Sequence, residues 1–456
     1  MSVTHIMATF AAETATADVP QAVSERALAL ATDLIGSTIR AANEVDSTPS
    51  ILAMLSRLGL DRGDECIVFG LNRRYPAAAA ALLNGALGHS LDFDDTHADS
   101  SLHPSAPVVP AAFAAAELTR ASGADLLAAI AIGFEICCRL GVALDPAVHY
   151  GRGFHPTATA GVFGAAAAAG RLLGLDAAKI AGAFGVAASQ ASGSLQFLAN
   201  GAWNKRYQVG EAAMKGLMAA TLADADFVGA VDAIDGKHGF LRAYSDGADP
   251  ARAVENLGAE WETLRIGVKP YPACRYTHAA VDGILALQKR HAWAGGDIER
   301  VTVGLHGNGI TLVGAPLAGK RRARSIVDGQ FSMPFAAAVA LTRGRFGWDD
   351  YDLLGHPEID AIADRVEVVR DASLEGLRHP FGATLEIVAR GESHRLRVPD
   401  PSGEPETFPS PADAAAKFHS LAGPVLNADT AAFLDTLRAV PAAPDVRALF
   451  LERQTF

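Results

Sequence analysis

Residues 161–175 read GVFGAAAAAGRLLGL. A helix with so little side chain buries little area of its own, so it holds only where other helices approach its backbone closely. The run therefore demands a fold of tightly crossing helices. The rest of residues 19–269 keeps that character. A 3.6-residue apolar period recurs through ERALALATDLIGSTIRAA and through residues 76–91, 110–122 and 124–144. Pro20 suits a first helical turn, and Gly174 followed by Asp176 reads as one helix ending and the N-cap of the next.

The pattern changes near residue 266. IERVTVGLHG and DRVEVVRD alternate as strands do, ATLEIVARGESHRLRVPD reads as a hairpin turning near Arg390-Gly391, and FSMPFAAAVALTRG between them is helical. Helical periodicity returns in SPADAAAKFHSLAG and TAAFLDTLRAV after a Pro-rich loop. The chain is expected to be mainly α. Residues 1–265 and 400–456 would form a discontinuous all-helical domain, and residues 266–399 a smaller α+β unit.

Half of the 456 residues are hydrophobic and 20% are charged, which excludes a disordered chain. The 39 basic and 51 acidic residues give −12, the wrong sign for a nucleic-acid binder. Cys66, Cys137, Cys138 and Cys274 make no framework of bridges, which points to a reducing compartment. The N-terminal stretch carries Glu13 and Asp18 before any arginine, unlike a signal or transit peptide. The apolar stretch at 127–144 is interrupted by Glu135 and Arg139 and reads as a buried helix rather than a membrane span. The expectation is a cytoplasmic protein.

Four segments hold residues able to do chemistry. HSLDFDDTHADSSLHPSAP places Asp92, Asp94, Asp95, Thr96, His97, Asp99 and His103 within twelve residues. It reads as a capped helix end with a solvated loop, as a set of metal ligands, or as an acid–base site. HYGRGFHPTATAG leads His155 into the Ala-rich helix, either as a structural hydrogen-bonding group or as a titrating one. NGAWNKRYQVG holds Lys205, one of only eight lysines, as a solvated charge or as a clamp for a substrate carboxylate. KPYPACRYTHAA gathers Lys269, Arg275, Tyr276 and His278 where the two domains join in sequence, and junctions often form clefts. Cys274 there reads as a packed thiol rather than a nucleophile. No G-x-G-x-x-G, P-loop or G-x-S-x-G accompanies these segments, so nucleotide-binding and serine-hydrolase readings lack support.

Together these strings resemble the MmgE/PrpD family: NGALGHSLDFDDTHADSSLHPSAPVVPAA, GFHPTATAGVFGAAAAAGRLLGL, GVAASQASG followed by NKR, KPYPACRYTHAAVDG, QFSMPFAAAVAL and AAAKFHSLAG. The resemblance runs from about residue 19 to 439. It implies a large all-helical domain built from both chain ends, a smaller α+β lid, a homodimer, and no metal or organic cofactor. Its active-site pattern falls on Asp92, His103, His155, Lys205 and His278, with Thr96 near the substrate. The implied roles are Lys205 as carboxylate clamp, His103 and His155 as acid–base groups, His278 as proton donor, and Asp92 as orienter of a histidine. Arg275, Lys269 and Tyr276 are candidate substrate contacts.

The chain departs from the family in three places, the first being the loop before H-P-S, where 2-methylcitrate dehydratases carry tryptophans and this chain has His97 and Asp99. Relatives often read K-x-L-H where this chain has Lys205, Arg206, Tyr207, Gln208, and Phe335 stands where some members place tyrosine. The implied function is a cofactor-independent lyase, a dehydratase or decarboxylase, acting on a small di- or tricarboxylate. The alternatives are an epimerase or racemase at a carbon α to a carboxylate, and a non-catalytic dimeric member. The implied partner is a small carboxylate, with no nucleic acid and no membrane.

Overall fold

The computed structural model describes residues 1–375 and 380–451. It is mostly helical and divides into two compact units. The first comprises Met1–Ser90, Asp94–Val268 and Pro409–Phe456; the second comprises Leu91–Phe93 and Lys269–Phe408.

In the first unit, helices Gln21–Glu44, Ala77–Gly88, Ser105–Thr119, Gly123–Ala143, Gly161–Leu172 and Asn204–Asp224 pack on one another. Close approach is what the Ala/Gly sequences permit. A methyl group added at Gly164 would sit 2.6 Å from the Gly133 carbonyl oxygen, so helices Gly123–Ala143 and Gly161–Leu172 cross backbone to backbone. Helix Ala77–Gly88 meets Asn204–Asp224 in the same way, with Gly85 3.0 Å from Gly210 Cα by the same measure. Gly123–Ala143 is the one described helix long and apolar enough to cross a membrane, and it is buried in the protein. Ser122 caps it by accepting from Asp125 N, and Asp176 caps Ala177–Gln190 by accepting from Lys179 N. The chain's two ends meet here. Helix Pro411–Leu426 lies along Gln21–Glu44, with Lys417 Nζ 2.7 Å from Asp33 Oδ1 in a largely buried pair. Helix Val3–Glu13, ahead of the expected start at residue 19, joins the same unit.

The second unit carries a four-stranded sheet. In chain order the strands are β1 (Ile298–Leu305), β2 (Val366–Arg370), β3 (Ala383–Ala389) and β4 (Glu392–Val398), arranged β2-β1-β3-β4. β1 and β2 run parallel, which requires the long helical connection between them; the other pairs are antiparallel. β3 alternates buried and half-buried residues, as its sequence predicts. Arg390 and Gly391 form the two-residue turn with φ of 52° and 76°, the mirror-image geometry that matches strand twist. Helix His278–His291 packs on β3 and β4, and helix Met333–Arg343 packs beside it.

Candidate active site

Two His-Pro steps build the centre of the first unit. His103-Pro104 precedes helix Ser105–Thr119, and His155-Pro156 opens helix Pro156–Thr159. Proline disfavours the helical region for the residue before it and supplies no N–H itself. Each imidazole is thereby held just outside a helix start. The two loops are tied, because His103 N donates to Thr157 Oγ1 at 3.1 Å.

A third imidazole neighbours both. His89 follows helix Ala77–Gly88, and its ring centre is 5.0 Å from that of His103 and 5.6 Å from that of His155. His89 Nδ1 is 2.6 Å from Asp94 Oδ2, and both side chains are wholly buried. The His103 side chain keeps 14% of its surface. Its Nδ1 is 2.6 Å from the main-chain oxygen of Asp95, which can only accept, so Nδ1 carries a proton and Nε2 is the nitrogen able to exchange one. Asp94 Oδ2, 3.9 Å from that Nδ1, offsets the charge a second proton would bring.

The Asp95 carboxyl itself turns to Ser105, accepting from its N at 3.2 Å and its Oγ at 2.5 Å. Burial pushes that carboxyl well above the usual carboxylate range, and Asp94 and Asp33 add to the rise. His155 Nδ1 is 2.7 Å from Gln208 Nε2, on helix Asn204–Asp224. Lys205 is half-buried in the first turn of that helix, three residues before Gln208 and so on the same side of it. Thr96 is buried, and its Oγ1 has no hydrogen-bond partner.

The second unit holds a separate polar cluster. Asp92 has a left-handed backbone, φ 52°, which aspartate tolerates better than most residues. Lys269 Nζ reaches both its carboxylate, at 3.2 Å, and its main-chain oxygen, at 3.1 Å. The Arg275 guanidinium donates to Glu404 Oε1 at 2.7 and 3.0 Å and to His278 Nδ1 at 3.0 Å. With Nδ1 accepting, His278 Nε2 donates to the Ala273 carbonyl at 3.0 Å. Burial, then Arg275 and Lys269, hold His278 well below the ordinary histidine range. Tyr271 packs on His278 at 5.2 Å and donates to Asp282, whereas Tyr276 lies against His306 and Phe381.

Asp94 pairs with the His89 ring, and Asp92, expected to orient a histidine, meets Lys269. His278, expected as a proton donor, has its Nδ1 bonded by Arg275 and its Nε2 bonded to the Ala273 carbonyl. Arg275 and Lys269 are engaged by carboxylates of their own unit. Tyr271 is the tyrosine that packs on His278, and Tyr276, a candidate substrate contact in the sequence, lies against His306 and Phe381. Of the side chains the sequence offered as metal ligands, Asp95 faces Ser105 and His97 sits between Ser100 and Glu262. Among the described residues, no group of three or more His, Cys, Asp or Glu is placed to hold a metal ion. Sequence reasoning did not single out His89; its spacing of five residues from Asp94 was the available signal.

Comparison with known proteins matches residues 5–253 to the MmgE/PrpD N-terminal domain and residues 271–439 to the MmgE/PrpD C-terminal domain. The cis-aconitate decarboxylase-like protein oryM of Aspergillus oryzae is 30% identical over 389 residues, 80% of this chain and 79% of the relative. A cis-aconitate decarboxylase of Aspergillus terreus is 32% identical over 62% of this chain and 59% of its own length. The cis-aconitate decarboxylase of Homo sapiens is 34% identical over 47% and 45% respectively. Since both family domains match in order along most of its length, the chain belongs to the MmgE/PrpD family.

Proposed function

We propose that this protein is a lyase that decarboxylates a small unsaturated tricarboxylate of the cis-aconitate type. Its relatives' reactions support the class. The observation that carries the chemistry is the cluster of three histidines, in which the Asp95 carbonyl holds a ring proton of His103 on Nδ1 and so puts the exchangeable position on Nε2.

The carbon–carbon bond to one carboxylate breaks, and its electron pair forms a new double bond to the central carbon. The old double-bond pair moves to the far carbon, which takes a proton. The products are carbon dioxide and a dicarboxylate with a terminal methylene, and one proton is consumed. His103, anchored through Nδ1, delivers that proton from Nε2 and regains it from solvent; positioned general acids of this kind contribute about 10²–10⁴-fold.

Lys205 neutralises a substrate carboxylate against the mean charge of −12, and Thr96 Oγ1 donates to another. No metal or organic cofactor is required, because the departing pair is delocalised onto a carbon already conjugated to a carboxylate. Asp92, Lys269, Arg275 and His278 carry no proton step in this reading.

The test is incubation with cis-aconitate in D₂O, followed by NMR. Carbon dioxide release with one deuterium in the methylene next to a carboxylate is expected. Deuterium exchange without carbon dioxide overturns the decarboxylase reading in favour of an epimerase, and addition of water across the double bond to give a hydroxy acid favours a dehydratase.

A further inference from the structure

We propose that Gln208 is a positioning residue that keeps His155 neutral with its proton on Nε2, so that His155 acts as a fixed hydrogen-bond donor to the developing negative charge. This rests on the function proposed above and divides the labour of its two histidines: His103 moves the proton and His155 does not.

The orientation of the Gln208 amide follows from the backbone. Ser194 N–H can only donate, and it lies 3.0 Å from Gln208 Oε1. The Gln208 NH₂ group must then point the other way, where it meets the Ser194 carbonyl at 3.4 Å and His155 Nδ1 at 2.7 Å. A flipped amide would set two donors against each other at Ser194. Because the NH₂ group has only protons to offer, His155 Nδ1 must be the acceptor. The ring proton is left on Nε2.

The loop that reads the amide is itself fixed. His155 N donates to Gly193 O at 3.1 Å, and Leu195 N donates to Gly153 O at 2.9 Å, so Ser194 is clamped beside His155. Gly193 takes φ 150°, and a methyl group there would meet Ala158 Cβ at 2.8 Å.

The other groups around His155 are His89, paired with Asp94 and stacked on it at 5.6 Å, and Phe197, which presents its edge at 5.9 Å; His103 lies 5.0 Å from His89, and Lys205 is one turn from Gln208. A second proton on Nδ1 would displace a donor and add positive charge beside the Lys205 turn. A neutral imidazole held as a donor stabilises a carboxylate-derived enolate without competing for its proton.

The contrast with His103 is one of partner chemistry. A carbonyl acceptor on Nδ1 allows both the neutral and the charged ring, whereas an amide donor on Nδ1 allows only the neutral one.

The experiment combines ¹⁵N-histidine NMR with pH-dependent kinetics on wild type, Gln208→Glu and Gln208→Met. In the wild type, His155 should show an unprotonated Nδ1 and a protonated Nε2 throughout about pH 5.5–8, the range in which an ordinary histidine titrates. In Gln208→Glu, the new carboxylate would still accept from Ser194 N but would call for a proton on His155 Nδ1. The ring should then titrate. At alkaline pH, where the lone pair occupies Nε2, kcat should fall about 10²-fold, the loss typical of one missing donor, and it should recover on acidification. KM should move far less. Gln208→Met, which removes the bias and keeps the bulk, should yield mixed tautomers and a smaller loss with no new ionisation.

The NMR measurement needs no substrate, so a mistaken substrate leaves it intact. His155 titrating in the wild type, or carrying its proton on Nδ1, overturns the proposal whatever the substrate proves to be. A Gln208→Glu pH profile parallel to the wild type reduces Gln208 to a packing role and overturns it equally.

Discussion

His103 Nδ1 donates to the main-chain oxygen of Asp95 at 2.6 Å, while the side chain of that same aspartate is taken up by Ser105. The backbone therefore orients the candidate proton donor. A carbonyl acceptor on Nδ1 fixes the tautomer and suits both the neutral and the charged ring, so the ring can change charge during turnover. His103→Gln keeps a polar group of similar reach and removes the titrating one. Turnover should drop about 10²–10⁴-fold with the unfolding midpoint near wild type. Steady-state kinetics beside a urea melt checks this, and activity within about threefold of wild type would remove His103 from the proton path.

His89 and Asp94 form a pair with no exposed side-chain surface at all. Removing one member leaves the other buried without its partner. Asp94→Ala should lower the unfolding free energy by about 3–5 kcal/mol, the range for breaking a buried pair. Denaturant unfolding measures it; a change below about 0.5 kcal/mol, the level of ordinary surface substitutions, would show that the pair contributes nothing to stability.

The neutral, buried His278 sets a pH dependence of stability. Its folded pKa is depressed, so between that value and the unfolded value of about 6.5 the unfolded chain binds one more proton than the native one. Stability due to this group is fully present above about pH 6.5 and declines as pH falls, by at most about 1.4 kcal/mol per unit. Asp95 acts oppositely, because its raised pKa makes the folded chain hold the extra proton above about pH 3.9. The comparison of wild type with His278→Gln isolates the first effect. Between about pH 7 and 5 the variant should lose less stability than the wild type; equal slopes would mean that His278 ionises normally.

The elements that were legible from sequence are those whose period or turn chemistry is local. β3 and β4, their Arg390-Gly391 turn and the Asp176 cap all follow from neighbouring residues. The pairing of functional groups was only partly legible. In DFDD, residues two apart differ in partner. Asp92, with its left-handed backbone, is met by Lys269, while Asp94 meets His89 and Asp95 meets Ser105. Sequence proximity cannot assign such partners, because they depend on where the backbone turns. His103 and His155 announce themselves by the prolines that follow them, but His89 ends a buried Ala/Leu helix with no such mark. Arg275 resembles a substrate cation in sequence, yet Glu404, 129 residues away, occupies it. Long-range ion pairs of this kind leave no periodic trace.

Lys205 is the remaining cation to test. It lies half-buried in the first turn of the helix that carries Gln208, and residues three apart on a helix share a face. That relation puts Lys205 on the same helix face as Gln208, which meets His155. A multiply charged carboxylate approaching a protein of net charge −12 needs local positive charge. Lys205→Ala would leave a substrate carboxylate desolvated and unpaired, which costs about 2–5 kcal/mol, or roughly 30- to 5000-fold in kcat/KM. Lys205→Arg should recover part of this, since charge matters more here than fork geometry. The fold should tolerate both changes, because the side chain is not core. Turnover of Lys205→Ala within about twofold of wild type on the true substrate would place the clamp elsewhere, whereas a loss in kcat/KM that Lys205→Arg partly restores, at unchanged thermal midpoint, ties the substrate carboxylate to this helix turn.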